Sequence, residues 1–189
     1  MPVPQAHSFP RGLSRATRSA IIVPVPETDH LVAWHRRALS SRPTASVPAH
    51  VTVLYPFVPP CEIDDGTITG IEAALSGFRP FECAFSQVKW FDDEVVWLEP
   101  KPDDHFRALT QAMWKRFPAH PPYAGEHPDT VPHLTVIDSR IGDPEGKRRA
   151  AADLAAVLPV HAWIDRVRLV AGDDEHGPWR TVTEFTLSG

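Results

Sequence analysis

The sequence VPAHVTV at residues 47–53 has a near copy, VPHLTV, at residues 131–136. In a β-strand, successive side chains point to opposite faces, so His50 and Thr52 share one face while Val51 turns to the other. The second copy repeats this split. If the two strands lie side by side at the floor of one cleft, two imidazoles and two hydroxyls converge on a small volume. That volume suits a phosphate group.

Composition places the chain among ordinary globular proteins. Its 189 residues, with 42% apolar content, can build one large domain or two small, closely packed lobes. The formal net charge of −5 argues against a broad basic surface, so we expect no extensive binding of nucleic acid. A small or terminal phosphate ligand remains compatible with this charge.

The cysteines and the lengths of the apolar runs limit the possible cellular compartments. Cys61 and Cys83 are the two cysteines, and they have neither metal-ligand nor redox spacing. We therefore expect a reducing, cytoplasmic location. No apolar run approaches the roughly 20 residues that a membrane-spanning helix needs, and the N-terminus lacks the apolar segment of a signal peptide. We expect no membrane association.

The first half of the chain alternates strand and helix patterns. Residues 1–17 mix Pro, Ser, Gly and Arg without periodicity, which predicts a flexible tail. Residues 20–25 form a short apolar run whose prolines indicate a strand that ends early or lies at a sheet edge. Thr28 is predicted to cap a helix that runs to Leu39. The apolar face of this helix is predicted to consist of Leu31, Trp34, His35 and Ala38.

Three helices and two strand pairs are predicted after the first motif. A second helix has one apolar face and ends near Pro80, and residues 81–98 form a hairpin that turns at Asp92-Asp93. A third helix begins at Asp103 or Asp104, and a fourth begins at Asp143-Pro144. The segments 160–170 and 179–187 are predicted to be a final strand pair. The apolar faces of the second and third helices are Ile68, Ile71, Leu75 and Phe78, and Phe106, Leu109, Met113 and Phe117, respectively.

The two halves follow the same order of elements. Each contains a helix, a strand with the His-x-Thr motif, another helix and then a strand pair. We interpret this as the internal duplication of an α+β unit, packed as one two-lobed domain over residues 18–189.

The paired motifs, His50-Val51-Thr52-Val53 and His133-Leu134-Thr135-Val136, resemble those of the 2H phosphoesterases. That family includes the 2′-5′ RNA ligases and the RNA 2′,3′-cyclic phosphodiesterases. The resemblance covers roughly residues 18–188. It implies an α+β fold of two pseudo-symmetric lobes, with antiparallel-rich sheets lining a central cleft and helices outside.

The resemblance also implies a chemistry. His50 and His133 would be the catalytic pair, one taking a proton from water or a hydroxyl and the other protonating the leaving oxygen, without metal or other cofactor. Thr52 and Thr135 would donate hydrogen bonds to the phosphate oxygens. The implied substrate is a 2′,3′-cyclic phosphodiester of a nucleotide or an RNA end. A near-symmetric pair does not reveal which histidine is the acid.

Aromatic residues are candidates for stacking on a nucleobase. Tyr123, in a Pro-Gly-rich loop, and Trp179, after a Gly-Pro turn, could each serve this way, although packing is the more ordinary role. Trp90 and Trp97 lie in predicted strands and are assigned to packing. No pair among the eight other histidines has the i, i+4 spacing of a helical zinc site.

Three alternatives stay open from the sequence. The protein could hold a nucleotide or phosphate without turning it over, or it could join RNA ends through a 2′-5′ linkage. A structural or partner-binding protein is the third. We expect a monomer that acts on a small cyclic nucleotide or an RNA terminus.

Overall fold

Strands and helices alternate along the chain. A computed structural model describes residues 16–39, 47–127, 129–173 and 178–189. The strands are β1 (Arg18–Pro24), β2 (His50–Leu54), β3 (Phe81–Phe91), β4 (Val95–Lys101), β5 (Leu134–Ile137), β6 (Val160–Ile164), β7 (Arg166–Gly172) and β8 (Arg180–Thr186). The helices are α1 (Asp29–Leu39), α2 (Asp65–Leu75), α3 (Asp104–Arg116) and α4 (Pro144–Val157).

Within the described ranges, the strands form one curled antiparallel sheet in the order β6-β3-β4-β5-β2-β1-β7-β8. The two motif strands, β2 and β5, are neighbours at its centre, where Val51 pairs with Leu134. We call β8-β7-β1-β2 the first half-sheet and β5-β4-β3-β6 the second half-sheet. The predicted α+β fold with two pseudo-symmetric lobes is confirmed.

One face of the sheet carries the hydrophobic core. Val51 and Val53 of β2, together with Leu134 and Val136 of β5, are buried there. Buried residues of all four helices belong to the same cluster, including Phe106 of α3. Because side chains alternate along a strand, the histidines and threonines of the motifs lie on the opposite face. We call this opposite face the cleft face.

The helices cross the seam between the half-sheets. α1 follows β1 of the first half-sheet but packs against β5 and α4, whereas α3 follows β4 and packs against β2 and α2. Each motif strand is therefore covered by a helix from the other half of the chain. This exchange ties the two lobes into one core.

Proline acts in β1 by ending the strand rather than by placing it at an edge. β1 ends at Pro24 and lies inside the sheet between β2 and β7. The edge alternative was therefore wrong. The predicted cap at Thr28 was also wrong, because its hydroxyl donates to the Val25 carbonyl at 2.9 Å within a short 3₁₀ turn.

The predicted strand over residues 160–170 is two strands. β6 pairs with β3 at one end of the sheet, whereas β7 pairs with β1 and β8 near the other end. The break lies at Asp165, whose carbonyl accepts a hydrogen bond from the Leu187 amide at 2.8 Å. The chain thus completes the second half-sheet and then returns to complete the first.

Helix termini and faces were predicted with mixed success. Asp143 caps α4 by accepting a hydrogen bond from the Gly146 amide at 2.8 Å, as predicted. Trp34 was wrongly placed on the buried face of α1, since 60% of it is exposed.

Most of the predicted tail, residues 1–15, lies outside the described residues, and the Thr17 amide donates to the Gly172 carbonyl at 2.9 Å. No described helix has the length and apolar character needed to cross a membrane.

Candidate active site

The two motif histidines are held by the same local hydrogen bond. Nδ1 of His50 lies 2.8 Å from the Pro48 carbonyl oxygen, and Nδ1 of His133 lies 2.7 Å from the Val131 carbonyl oxygen. A carbonyl only accepts, so in the neutral ring Nδ1 carries the proton and donates it. The Nε2 atom of each ring is then left with its lone pair available. This is the tautomer in which an imidazole can take a proton from a substrate or from water.

The strand register sets each histidine against the other motif's threonine. β2 and β5 are antiparallel with Val51 opposite Leu134. One step along this register places His50 opposite Thr135 and Thr52 opposite His133. Side chains directly opposite on one face of an antiparallel pair have Cβ atoms about 5 Å apart. Two imidazoles and two hydroxyls therefore surround one small area of the cleft face.

The surroundings of His50 favour its neutral form. Burial lowers the pKa of His50 to about 4, and the positive charges of Arg36 and His133 act in the same direction. The hydrogen bond to Pro48 and the negative charge of Asp29 oppose this shift. His50 is consequently uncharged at neutral pH and can act as a proton acceptor.

Arg36 is an arginine that the fold brings to the second motif. It lies on α1, and its Nε and Nη2 donate to the backbone carbonyls of Val136 and Thr135 at 3.0 and 2.9 Å. Burial lowers its pKa, opposed by Asp138 and Asp29. A guanidinium with so high an intrinsic pKa stays charged. Arg36 thus fastens α1 to the second motif and places a cation near His50.

His133 sits among aromatic rings. Its ring centroid lies 4.9 Å from Phe91, 5.8 Å from Trp97 and 6.4 Å from Tyr123. Burial lowers the pKa of His133, and the hydrogen bond to Val131 opposes that shift. His133 therefore has aromatic rings as its neighbours, whereas His50 has the cation of Arg36 nearby.

The two aromatic candidates for base stacking lie at different places on the cleft face. Tyr123 is near His133, its amide donates to the Tyr55 carbonyl at 2.6 Å, and burial raises the pKa of its hydroxyl to about 12. Trp179 packs in the first half-sheet, 6.3 Å from the ring of Tyr55 and against a small cluster that includes Ile22. Ile22 pairs with Thr52, so Trp179 borders the first motif rather than the second.

Sequence reasoning missed three residues near the motifs. Arg36 gave no signal, because an arginine in an amphipathic helix is ordinary. Trp97 was assigned to packing and Phe91 was not singled out, yet for Trp97 a signal existed. If Val96 and Leu98 face the core, as apolar strand residues do, alternation sends the residue between them to the cleft face.

Fold comparison finds solved structures with a similar fold. Escherichia coli LigT in complex with 3′-AMP is 13% identical, with a TM-score of 0.61 over 93% of this chain and 100% of that one. TT0787 of Thermus thermophilus is 17% identical, with a TM-score of 0.55 over 91% of this chain and 98% of that one. At such identities the likeness establishes the fold alone.

A sequence profile gives the family. The profile of the 2′-5′ RNA ligase superfamily matches residues 24–176, a range that contains both His-x-Thr motifs. A search among curated proteins finds no match. The chain belongs to the 2′-5′ RNA ligase superfamily, a group of 2H phosphoesterases, which confirms the resemblance drawn from the paired motifs.

Proposed function

We propose that this protein is a metal-independent 2H phosphoesterase that opens 2′,3′-cyclic phosphodiesters of nucleotides or of RNA ends by hydrolysis. One observation carries the proposal. Neighbouring strands bring two imidazoles together, each with its Nδ1 bound to a carbonyl and its Nε2 available, and each opposite a threonine of the other motif. A pair of proton-transfer groups beside two hydroxyl donors is what cleavage of a phosphodiester requires.

The two histidines receive different roles because their surroundings differ. His50, neutral at neutral pH, is the base: its Nε2 accepts a proton from water while the water oxygen bonds to phosphorus. The bond from phosphorus to one ribose oxygen breaks, and His133 donates its Nε2 proton to that oxygen. The product is a nucleoside monophosphate ester, and exchange with solvent restores both rings.

An anionic substrate favours this assignment. A phosphodiester bound between the rings stabilises a proton on either of them. Arg36 disfavours positive charge on His50, so the proton resides on His133. Thr52 and Thr135 donate to the non-bridging oxygens, where charge accumulates as phosphorus becomes five-coordinate.

A small nucleotide ligand agrees with what is known of proteins with this fold. LigT has been crystallised with 3′-AMP, with ATP and with phosphate. The net charge of −5 on the present chain also suits a short ligand or a single RNA terminus better than a long polynucleotide.

Hydrolysis of a nucleoside 2′,3′-cyclic monophosphate tests the proposal. We expect His50→Ala and His133→Ala each to lower kcat by about 10³-fold, because general acid–base catalysis contributes on the order of 10²–10⁴. His161→Ala is the matched control, since this histidine is exposed on β6. Activity in the wild-type protein is expected to survive a chelator.

Undiminished turnover in both histidine variants would end the proposal. If the wild-type protein binds a nucleoside monophosphate but forms no product from the cyclic substrate, it is a binding module instead. Formation of a 2′-5′ linkage from RNA ends, without hydrolysis, would favour the end-joining alternative.

A further inference from the structure

Trp97 lies on the cleft face beside the second motif. Its neighbours in β4, Val96 and Leu98, are buried in the helix-covered core, so alternation turns Trp97 to the other face. There it pairs directly with Thr135 of β5. The indole is only 5% exposed. It therefore forms part of the floor of the proposed phosphate site.

Two rings fix the orientation of this indole. Phe91 stacks on it at 4.7 Å between centroids, with the planes 23° apart. The ring of His133 meets it edge-on at 5.8 Å. An indole held on two sides in this way has little freedom to change its orientation.

The indole N–H has no acceptor among the described residues. Nε1 of Trp97 is buried and makes no hydrogen bond there. Leaving a buried donor unsatisfied destabilises the folded protein, so such groups are uncommon and each calls for an explanation. A ligand oxygen arriving between the histidines would supply the missing acceptor.

The corresponding position in the first half-sheet is apolar. Thr135 pairs with Trp97, whereas Thr52 pairs with Ile22, a fully buried aliphatic residue. Around the pseudo-symmetric pair of motifs, an additional N–H donor is therefore present on the His133 side and has no counterpart at Ile22.

We propose that Trp97 is a substrate-contacting residue whose indole N–H donates to a non-bridging oxygen of the bound phosphoryl group beside Thr135. The inference rests on the proposed phosphate site between the two motifs. With three donors arranged unequally around it, a cyclic phosphate is held in one of its two possible orientations. Trp97 thereby helps to select which ribose oxygen faces His133 and leaves.

Titration of the indole N–H by NMR tests this contact directly. The Trp97 resonance is assigned in a ¹⁵N-labelled protein through its proximity to Phe91 and through its disappearance in Trp97→Phe. On addition of inorganic phosphate or 3′-AMP, we expect the Trp97 N–H proton to move downfield, as a new hydrogen bond requires. The N–H of Trp163, which is 53% exposed on β6, is the internal control and should not move.

The variant Trp97→Phe separates a ligand contact from packing. Phenylalanine retains an aromatic ring but has no N–H, so the loss of an unsatisfied donor offsets the cost of the smaller ring, and we expect only a small change in thermal stability. We expect kcat/KM for a 2′,3′-cyclic nucleotide to fall by about tenfold or more, the loss typical of a hydrogen bond to a charged acceptor. The ratio of 2′- to 3′-monophosphate product should move toward equality. Trp163→Phe should change neither rate nor ratio.

The outcomes distinguish this inference from the proposed function. If phosphate shifts the resonances of His50 and His133 while the Trp97 N–H stays still, and Trp97→Phe retains full kcat/KM, the inference is wrong and the phosphate site stands. If neither phosphate nor 3′-AMP perturbs either histidine, the phosphate site and the inference fail together. A downfield shift of Trp97 in a protein that forms no product would support the contact and contradict the hydrolytic activity.

Discussion

The two halves of the site share a backbone and differ in what surrounds it. His50 and His133 make the same Nδ1 hydrogen bond to the carbonyl two residues earlier, and their strands are neighbours. Near His50 lie the cation of Arg36 and the carboxylate of Asp29. The comparison teaches that duplication supplies two like histidines, whereas unlike neighbours shift their pKa values for different reasons.

The environment of His133 completes the contrast. Three aromatic rings approach it, and the causes that shift its pKa are burial and its own hydrogen bond to Val131. A charge lies near one histidine and aromatic rings lie near the other, and the proposed acid and base roles rest on this difference.

Removing Arg36 is expected to have the largest effect. Arg36→Met deletes two hydrogen bonds from a charged donor to the carbonyls of Thr135 and Val136, so we expect the free energy of unfolding to fall by about 3 kcal/mol. Since Arg36 lowers the pKa of His50, that pKa should rise in the variant, while the pKa of His133 stays in place. Denaturant unfolding and NMR titration of the two rings measure both quantities.

A variant at Asp29 is expected to shift the pKa of His50 in the opposite direction. Asp29→Asn removes a negative charge that raises the pKa of His50, so this pKa should fall further. The amide oxygen of asparagine can still accept the hydrogen bond from the Ala49 amide, which Asp29 accepts at 2.7 Å. Equal movement of both histidines in either variant would contradict the difference between the halves.

The threonines are expected to show the next largest effect. Thr52→Val and Thr135→Val keep the shape and strand preference of the side chain but lose the hydroxyl. We expect each to lower kcat/KM by about 10–100-fold, with the larger loss for Thr52, because Trp97 supplies a second donor beside Thr135. Steady-state kinetics on a cyclic nucleotide measures this, with the exposed Thr186→Val as the control.

If both valine variants retained wild-type kcat/KM, the hydroxyls would not touch the phosphoryl group. A larger loss for Thr135 than for Thr52 would instead contradict the assignment of a further donor to its side of the site.

The loss of stability at low pH that comes from His50 is expected to be the smallest effect. The folded protein keeps His50 neutral down to a pKa of about 4, whereas the unfolded chain takes up a proton near pH 6.5, so stability falls as the pH is lowered through this window. Between pH 7 and pH 5 the contribution of His50 amounts to about 2 kcal/mol. We expect His50→Gln to flatten the pH dependence of the unfolding free energy more than His133→Gln does. A steeper pH dependence of the unfolding free energy in His50→Gln than in the wild type would contradict the lowered pKa of His50.

The order of elements could be predicted from the sequence because periodicity reports which face of each element is buried. The helix start at Asp143-Pro144, the hairpin around Asp92-Asp93 and the apolar alternation of Phe81, Cys83 and Phe85 all follow local rules, and the structure confirms them. Where β6 ends and β7 begins could not be predicted. The apolar alternation of residues 160–170 is interrupted at Asp165-Arg166, but this does not show that its two parts pair at opposite ends of the sheet.

Contacts between residues far apart in the sequence could not be predicted for the same reason. The basic run Lys147-Arg148-Arg149 has the composition that is typical of a solvated helix face. Lys147 is nevertheless only 5% exposed, and its Nζ donates to the carbonyl of Glu94 at 2.7 Å. Arg36 likewise reaches carbonyls about 100 positions away. A long cationic side chain can extend into solvent or bend onto a backbone, and only the packed neighbours choose between these.

The sequence by itself determined the two His-x-Thr motifs, the faces on which their side chains lie and the duplicated unit that carries them. These follow from the two-residue period of a strand, which is a local property of the chain. The tertiary structure decided which charge stands near His50, which rings enclose His133 and where the indole N–H of Trp97 is left without an acceptor. Such differences arise from contacts between residues far apart in the sequence, and two nearly identical motifs carry no record of them.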